Sequence, residues 1–293
     1  MSAKVYRDYT QEELDKQYEH RHIVPNMEEF TSRNQAEGKR MRETLPARLD
    51  VPYGPHPKQK LDIYAVTRAR APIAVNFHGG RWQLNSRELS AQAAEAFTQA
   101  GIVFVNAGFR QVPDFRMDQL IEDARSAVAW AYQNAESLGA NPDRLFIVGQ
   151  SSGAHMGGMM VVTDWTKLGL PRDAVKGGLL VSGMYDLEPV RLTFRNAAVK
   201  LDVAEAERNS PIRHIPKDGC PIVLGYGALE SDEFKRQSRD FAAAWRKAGN
   251  PCELVEMPGH HHYSLGAEMN NPASAIVRPL FQLAGAAVKQ AAE

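Results

Sequence analysis

A single five-residue turn limits the possible folds of this chain more than any other feature. The strand-like apolar run Leu145-Phe146-Ile147-Val148 ends in Gly149-Gln150-Ser151-Ser152-Gly153, and the small-residue pattern Ala154-His155-Met156-Gly157-Gly158-Met159-Met160 follows as a candidate helix. A strand that turns this sharply into a helix holds its central residue in strained backbone, and the crossing segments leave almost no room for side chains on either flank. Glycine meets that need at the lowest cost. GxSxG between a strand and a helix is the nucleophile-elbow arrangement, so the motif predicts a reaction as well as a fold.

A second glycine-rich loop lies upstream, where Ile73-Ala74-Val75-Asn76-Phe77 ends in His78-Gly79-Gly80-Arg81-Trp82. Acyl transfer builds negative charge on the former carbonyl oxygen, and fixed backbone N–H groups stabilise it without reorganising. The loop resembles the HGG oxyanion loop of esterases and lipases. The expected donors are the N–H of Ser152 and those of Gly79, Gly80 and Arg81. Without the downstream motif, the same residues would read as a glycine turn at a strand end.

A serine hydroxyl needs a base, and the base needs an orienting carboxylate. In this fold order both come after the serine. The run Pro221-Ile222-Val223-Leu224-Gly225-Tyr226 opens into a loop with Glu230, Asp232 and Glu233, and Glu253-Leu254-Val255-Glu256-Met257 leads to His260-His261-His262. Acid and base thus fall at the carboxyl ends of successive strands, where open parallel sheets place their sites. Glu230 comes directly after its strand and is the first choice, with Asp232 second, because Asp232 and Glu233 suit the first turn of a helix. His260 is nearest its strand, whereas His262 precedes an aromatic residue and a helix start. Three adjacent loop histidines rarely converge on one ion, so no metal is expected, and no cofactor is required.

Four segments then carry a specific likeness: Gly79-Gly80-Arg81-Trp82, Gly149 to His155, Ser182 to Pro189 and Glu230 to Ser238. Together with Tyr9 to Leu14, Gln17-Tyr18 and Val24-Pro25-Asn26, they resemble α/β-hydrolases of the arylformamidase, or kynurenine formamidase, family over most of the chain. The resemblance implies Ser151, Glu230 and His262 as a catalytic triad and an acyl-enzyme mechanism on an aryl amide or ester with a small acyl group. It also marks departures: Arg81 stands where the family usually has tyrosine, Glu230 where it has aspartate, and Gln150 where the elbow commonly has histidine. The Arg81 guanidinium could take a substrate carboxylate bidentately or face solvent, and both readings stay open. A general carboxylesterase on small esters and a non-catalytic ligand-binding homologue are the alternatives; the second requires a lost triad member, and none is lost.

The remainder of the sequence is consistent with that fold class. Strand candidates alternate with helical patterns, including helices over 88–100 and around Leu120, Ile121, Ala124, Ala127, Val128 and Ala131, with a turn at Asn141-Pro142-Asp143. Such alternation predicts a mostly parallel sheet with helices on both faces. The 293 residues are read as one α/β-hydrolase domain, with 1–50 an N-terminal strap and 184–215 a small cap insertion built on two short helices. Tyr185, Leu187 and Phe194 are expected to line a substrate pocket beside Trp82 and Arg81. Lysine plus arginine number 35 and aspartate plus glutamate 35, so no net charge favours nucleic acid or an anionic membrane. A small-molecule substrate is the expected partner, and a homodimer is left open. Two cysteines and a start without an apolar core point to the cytoplasm.

Overall fold

The computed structural model describes residues 3–286. A short hairpin of β1 (Lys4–Tyr6) and β2 (Tyr9–Thr10) leads into α1 (Gln11–Tyr18) and α2 (Met27–Thr44). Thr10 and Glu13 close a capping box on α1, with the Thr10 N–H donating to Glu13 Oε2 at 2.7 Å, so this polar segment starts its helix with local chemistry. The main sheet follows as β3 (Ala47–Pro52), β4 (Lys60–Tyr64), β5 (Ala71–Phe77), then α3 (Ala94–Gln99), β6 (Val103–Ala107), α4 (Met117–Asn134) and β7 (Ala140–Gln150). After β7 come α5 (Ser152–Val161), β8 (Val175–Val181), α6 (Glu188–Arg191), α7 (Asn196–Val199) and α8 (Val203–Arg208). The chain then runs through β9 (Ile222–Gly227), α9 (Asp232–Lys247), β10 (Cys252–Met257), α10 (Leu265–Glu268) and α11 (Arg278–Leu283).

The eight-stranded sheet has the order β10-β9-β8-β7-β5-β6-β4-β3. Pairing is parallel from β6 through β5 to β10, and antiparallel where β4 meets β6 and β3. This is the α/β-hydrolase sheet, flanked by helices as the alternation predicted. The central strand β5 is buried along its whole length, as expected of a parallel strand covered on both faces. Helix α4 buries Leu120, Ile121, Ala124, Ala127, Val128 and Ala131 against it, each large aliphatic contributing about 1.5–3 kcal/mol.

Local departures from the expected elements have local causes. The helix expected over 88–100 is instead a 3-10 turn, Arg87–Leu89, followed by the shorter α3, because the Ser90 hydroxyl donates back to the Ser86 carbonyl and Gly38 of α2 presses against the Leu89 carbonyl. Asn141-Pro142-Asp143 lies inside β7. There the Asp143 N–H donates to Asn141 Oδ1 at 3.1 Å, and the pairing jumps from Ala71 with Ala140 to Ile73 with Leu145. Residues 184–215 form three short α-helices and a 3-10 turn, one helix more than expected. Asn196 Oδ1 accepts the Leu201 N–H at 2.7 Å, Lys200 takes a left-handed φ of 58°, and Asp202 Oδ1 caps Glu205 at 2.7 Å, which splits the run. Among the described residues no helix is long and apolar enough to cross a membrane.

The elbow depends on both its glycines. A Cβ on Gly149 would run into the Gly153 carbonyl, and one on Gly153 into the carbonyl oxygen of Phe77 at the end of β5. Alanine ordinarily improves a helix position held by glycine. Gly153→Ala is expected instead to lower the stability read by urea unfolding by about 3 kcal/mol. Gly157→Ala should lose less, because the nearest atom there is the movable Leu180 Cδ2.

Candidate active site

Ser151 sits between β7 and α5 with φ 57° and ψ −122°, outside the ordinary regions for a serine, and its N–H is tied to the Val181 carbonyl at 2.8 Å. This raises the hydroxyl above the sheet, where Oγ lies 2.9 Å from His262 Nε2. His262 Nδ1 lies 3.0 Å from Glu230 Oε2. A carboxylate can only accept, so Nδ1–H donates to Glu230 and the Nε2 lone pair is left to accept from Ser151. Glu230 Oε1 also accepts the Gly227 N–H at 2.8 Å and the Ser182 hydroxyl, which holds the carboxylate on three donors. All three side chains are at least nine-tenths buried.

The competing candidates point elsewhere. Asp232, the second choice for the acid, opens α9 on the surface and pairs with Lys235 at 3.0 Å. His260 Nδ1 lies 3.2 Å from Ser264 Oγ, while His261 packs edge-on against Phe30 and its Nδ1 accepts the Tyr263 and Ser264 N–H groups. These contacts shape the loop that carries His262. The acid loop and histidine loop are also zipped together, with Leu229 N–H on the His260 carbonyl at 2.9 Å.

The glycine loop lies directly beside Ser151. A Cβ on Gly79 would sit 3.3 Å from Ser151 Cβ and 2.9 Å from the Gln150 carbonyl oxygen. Gly80, at φ +124°, turns its own carbonyl back to the Gln83 and Leu84 N–H groups at 3.0 and 2.7 Å. Among the described residues, the N–H groups of Gly79, Gly80, Arg81 and Ser152 have no acceptor, and Ser152 begins α5, where unpaired donors collect. Arg81 lines the cavity in front of Ser151.

Three residues expected in the substrate pocket, Trp82, Tyr185 and Leu187, are core residues instead. Trp82 is 1% exposed, and its Nε1 donates to His155 Nδ1 at 3.0 Å. Tyr185 is fully buried and stacks on Phe241 with ring centroids 4.4 Å apart. Large aromatics gain most from complete burial, and proximity in sequence to a site loop does not say which way a side chain turns. Leu187 is likewise buried, and Phe194 is exposed in a separate groove with Gln11, Glu12 and Asp15. No residue lining the catalytic cavity comes from 184–215.

The cavity, about 460 Å³, is lined by Met27, Thr31 and Gln35 of α2, by Leu84, Leu89 and Ala93, by Tyr263 and Met269, and by Ser151 and His262. Sequence reasoning placed the N-terminal residues over the domain but missed that α2 supplies a wall. It also missed two contacts with the histidine loop. Gln150 Nε2 donates to the His262 carbonyl at 2.9 Å, and the His20 ring lies 4.3 Å from the His262 ring with its Nδ1 3.2 Å from the Tyr263 hydroxyl. His20 lies in a polar stretch, Glu19-His20-Arg21-His22, in which neither apolar periodicity nor a motif marks it.

Comparison with known proteins gives the family and the fold. The BD-FAE family model matches residues 61–173. A kynurenine formamidase of Danio rerio is 28% identical over 96% of this chain and 98% of its own length. One of Salmo salar is 30% identical over 89% of this chain and 92% of its own length. The chain belongs to the kynurenine formamidase family. As a member of that family, it is a hydrolase of the esterase and amidase type. Esterase LipQ of Mycobacterium tuberculosis is 25% identical over 73% of this chain and 56% of its own length. Among solved structures, a candidate thioesterase from Silicibacter superposes with a TM-score of 0.80 at 22% identity, covering 91% of this chain and 98% of that one. The metagenomic carboxylesterase EstE1 superposes at 0.68 and 17%, covering 88% and 95%. These structures share the fold.

Three buried histidines frame the site and stay neutral. Burial pushes His155 and His78 down to about 4, and burial with the neighbouring His262, Arg195 and Arg81 charges holds His20 well below the usual range. His155 accepts from Trp82 at Nδ1, so Nε2 carries the proton and donates to the Asn209 carbonyl at 2.7 Å. The unfolded chain binds protons on these groups below about pH 6.5 while the folded chain does not, so stability rises with pH across that window. The urea midpoint is expected to fall steadily from pH 6.5 to 4. Native-state NMR should show the three imidazoles titrating well below 6.5; ordinary titration near 6.5 would contradict the assignment.

Proposed function

We propose that the chain is a serine hydrolase that removes a small acyl group from an aryl amide or ester. The observation that carries the reading is the continuous line from Glu230 through His262 to Ser151 Oγ, which ends beside backbone N–H groups without acceptors. In this reading Ser151 Oγ attacks the substrate carbonyl as His262 Nε2 takes its proton, and Glu230 holds the resulting imidazolium. The Ser152 N–H and those of Gly79, Gly80 and Arg81 receive the oxyanion. The tetrahedral intermediate collapses, His262 returns the proton to the departing amine or alcohol, and water then releases the acid from the acyl-enzyme by the same route.

The names of the Danio and Salmo relatives point to an N-formyl aryl amine as the substrate, a small molecule that the cavity can hold. The LipQ likeness favours a second reading as a carboxylesterase on small esters, where the leaving group demands less protonation. In either reading residues 1–50 act as a strap whose α2 walls the site. Residues 184–215 act as a cover that anchors the oxyanion loop from behind, through Asn209, His155 and Trp82.

Assay of N-formyl aryl amines beside 4-nitrophenyl acetate separates the two readings; ester turnover with no amide cleavage would select the esterase. Ser151→Ala is expected to lower kcat by about 10⁵-fold or more and to abolish labelling by a fluorophosphonate. Unchanged activity in that variant would overturn the mechanism.

A further inference from the structure

Arg81 is the charged residue of the oxyanion loop, and the acyl-transfer chemistry does not use its side chain. It is half-buried at φ +58°, and it lines the cavity with His20 and Tyr263. A guanidinium partly withdrawn from water keeps its charge and needs acceptors. Among the described residues no carboxylate comes within 4.0 Å of Arg81, whereas Arg21 on the same cavity wall pairs with Glu28 at 3.0 Å. The guanidinium of Arg81 is therefore presented to the cavity without an anion of its own.

Its surroundings deepen the positive field. Arg195 is 5% exposed and sits over the Tyr18 and Phe234 rings, with Nη2 donating to the Tyr18 carbonyl at 2.6 Å and no carboxylate paired to it among the described residues. Burial and the charge of Arg81 push Arg195 down to about 10. Arg81 and Arg195 are also the cations that act most strongly on the Tyr263 hydroxyl, with Arg21 and Glu19 weaker. Among the described residues the hydrogen-bond partner of that hydroxyl is His20 Nδ1 at 3.2 Å; in the tautomer where Nδ1–H donates to the phenol oxygen, the phenolic proton is free for a ligand. Arg81 and Tyr263 thus share one part of the cavity wall, and Arg195, which does not line the cavity, adds its charge from the protein interior.

We propose that Arg81 and the Tyr263 hydroxyl form a carboxylate subsite, so that the preferred substrates are amides or esters bearing a carboxylate near the scissile carbonyl. The fork of the guanidinium offers two parallel N–H donors to one planar carboxylate, and Arg195 adds field from behind. The subsite deepens the hydrolase reading and rests on it. It makes Arg81 a specificity-determining residue: it is not part of the proton relay, and its side chain selects what reaches Ser151.

The test compares kcat/KM for 2-formamidobenzoate and formanilide, which differ only in the carboxylate, and inhibition of 4-nitrophenyl acetate hydrolysis by 2-aminobenzoate and aniline. The carboxylate-bearing member of each pair is expected to be favoured by about thirtyfold. Arg81→Gln should bring both ratios near one, mainly through KM and Ki, and Arg81→Lys should keep part of the preference. Either substitution bears the same left-handed backbone, and fluorophosphonate labelling of Ser151 reports that the site remains folded. Ratios near one in the unaltered protein, or ratios unchanged in Arg81→Gln, with ester hydrolysis intact, overturn the subsite alone. Absence of all hydrolysis together with an unlabelled Ser151 overturns the hydrolase reading and the subsite with it.

Discussion

The site is organised by one backbone contact, the closure of the β7–α5 turn on the end of β5. Gly149 and Gly153 face each other across the elbow, and Gly153 lies against the Phe77 carbonyl with no space for a methyl group. The contact is steric, so it is unforgiving of added volume. Because β5 and β7 are held at this spacing, the loop that follows Phe77 must pass directly over Ser151. The glycine loop after β5 and the start of α5 are thereby held side by side at Ser151.

The second level of organisation is a set of buried polar links that fix the loops around this turn. Glu230 is held by Gly227 and Ser182 before it meets His262, and Gln150 holds the His262 carbonyl from the elbow itself. Trp82, His155 and Asn209 run a chain from the glycine loop through α5 to the segment before β9. Each link satisfies a group that would be costly to bury alone, and together they remove rotational freedom from the atoms that must align. The alignment is then present before substrate arrives, as a field aimed at developing charge requires.

The cavity in front of this arrangement is polar and positively biased at the Arg81 end, and lined by Met27, Leu89 and Met269 elsewhere. Its walls come from α2 and the loop after β5, while 184–215 packs on the other side of the glycine loop. On the proposed reading, selectivity resides in the N-terminal segment and in Arg81, and the triad geometry serves any acyl donor that fits.

Much of this was legible in the amino-acid order alone, because it rests on local chemistry. The elbow glycines, the glycine loop after an apolar run, and an acid and a histidine after later strands each follow from what a few consecutive residues can do, and the alternation of apolar runs dictated the layered sheet. What only the tertiary structure decided is long-range: Trp82 and Tyr185 turned into the core, α2 laid along the cavity, His20 laid on the His262 ring, and Arg81 turned to the cavity. No local pattern encodes these choices. Each depends on which distant surface a side chain meets, and a residue such as His20 acquires its neighbours only when a polar N-terminal segment packs across a sheet assembled from the rest of the chain.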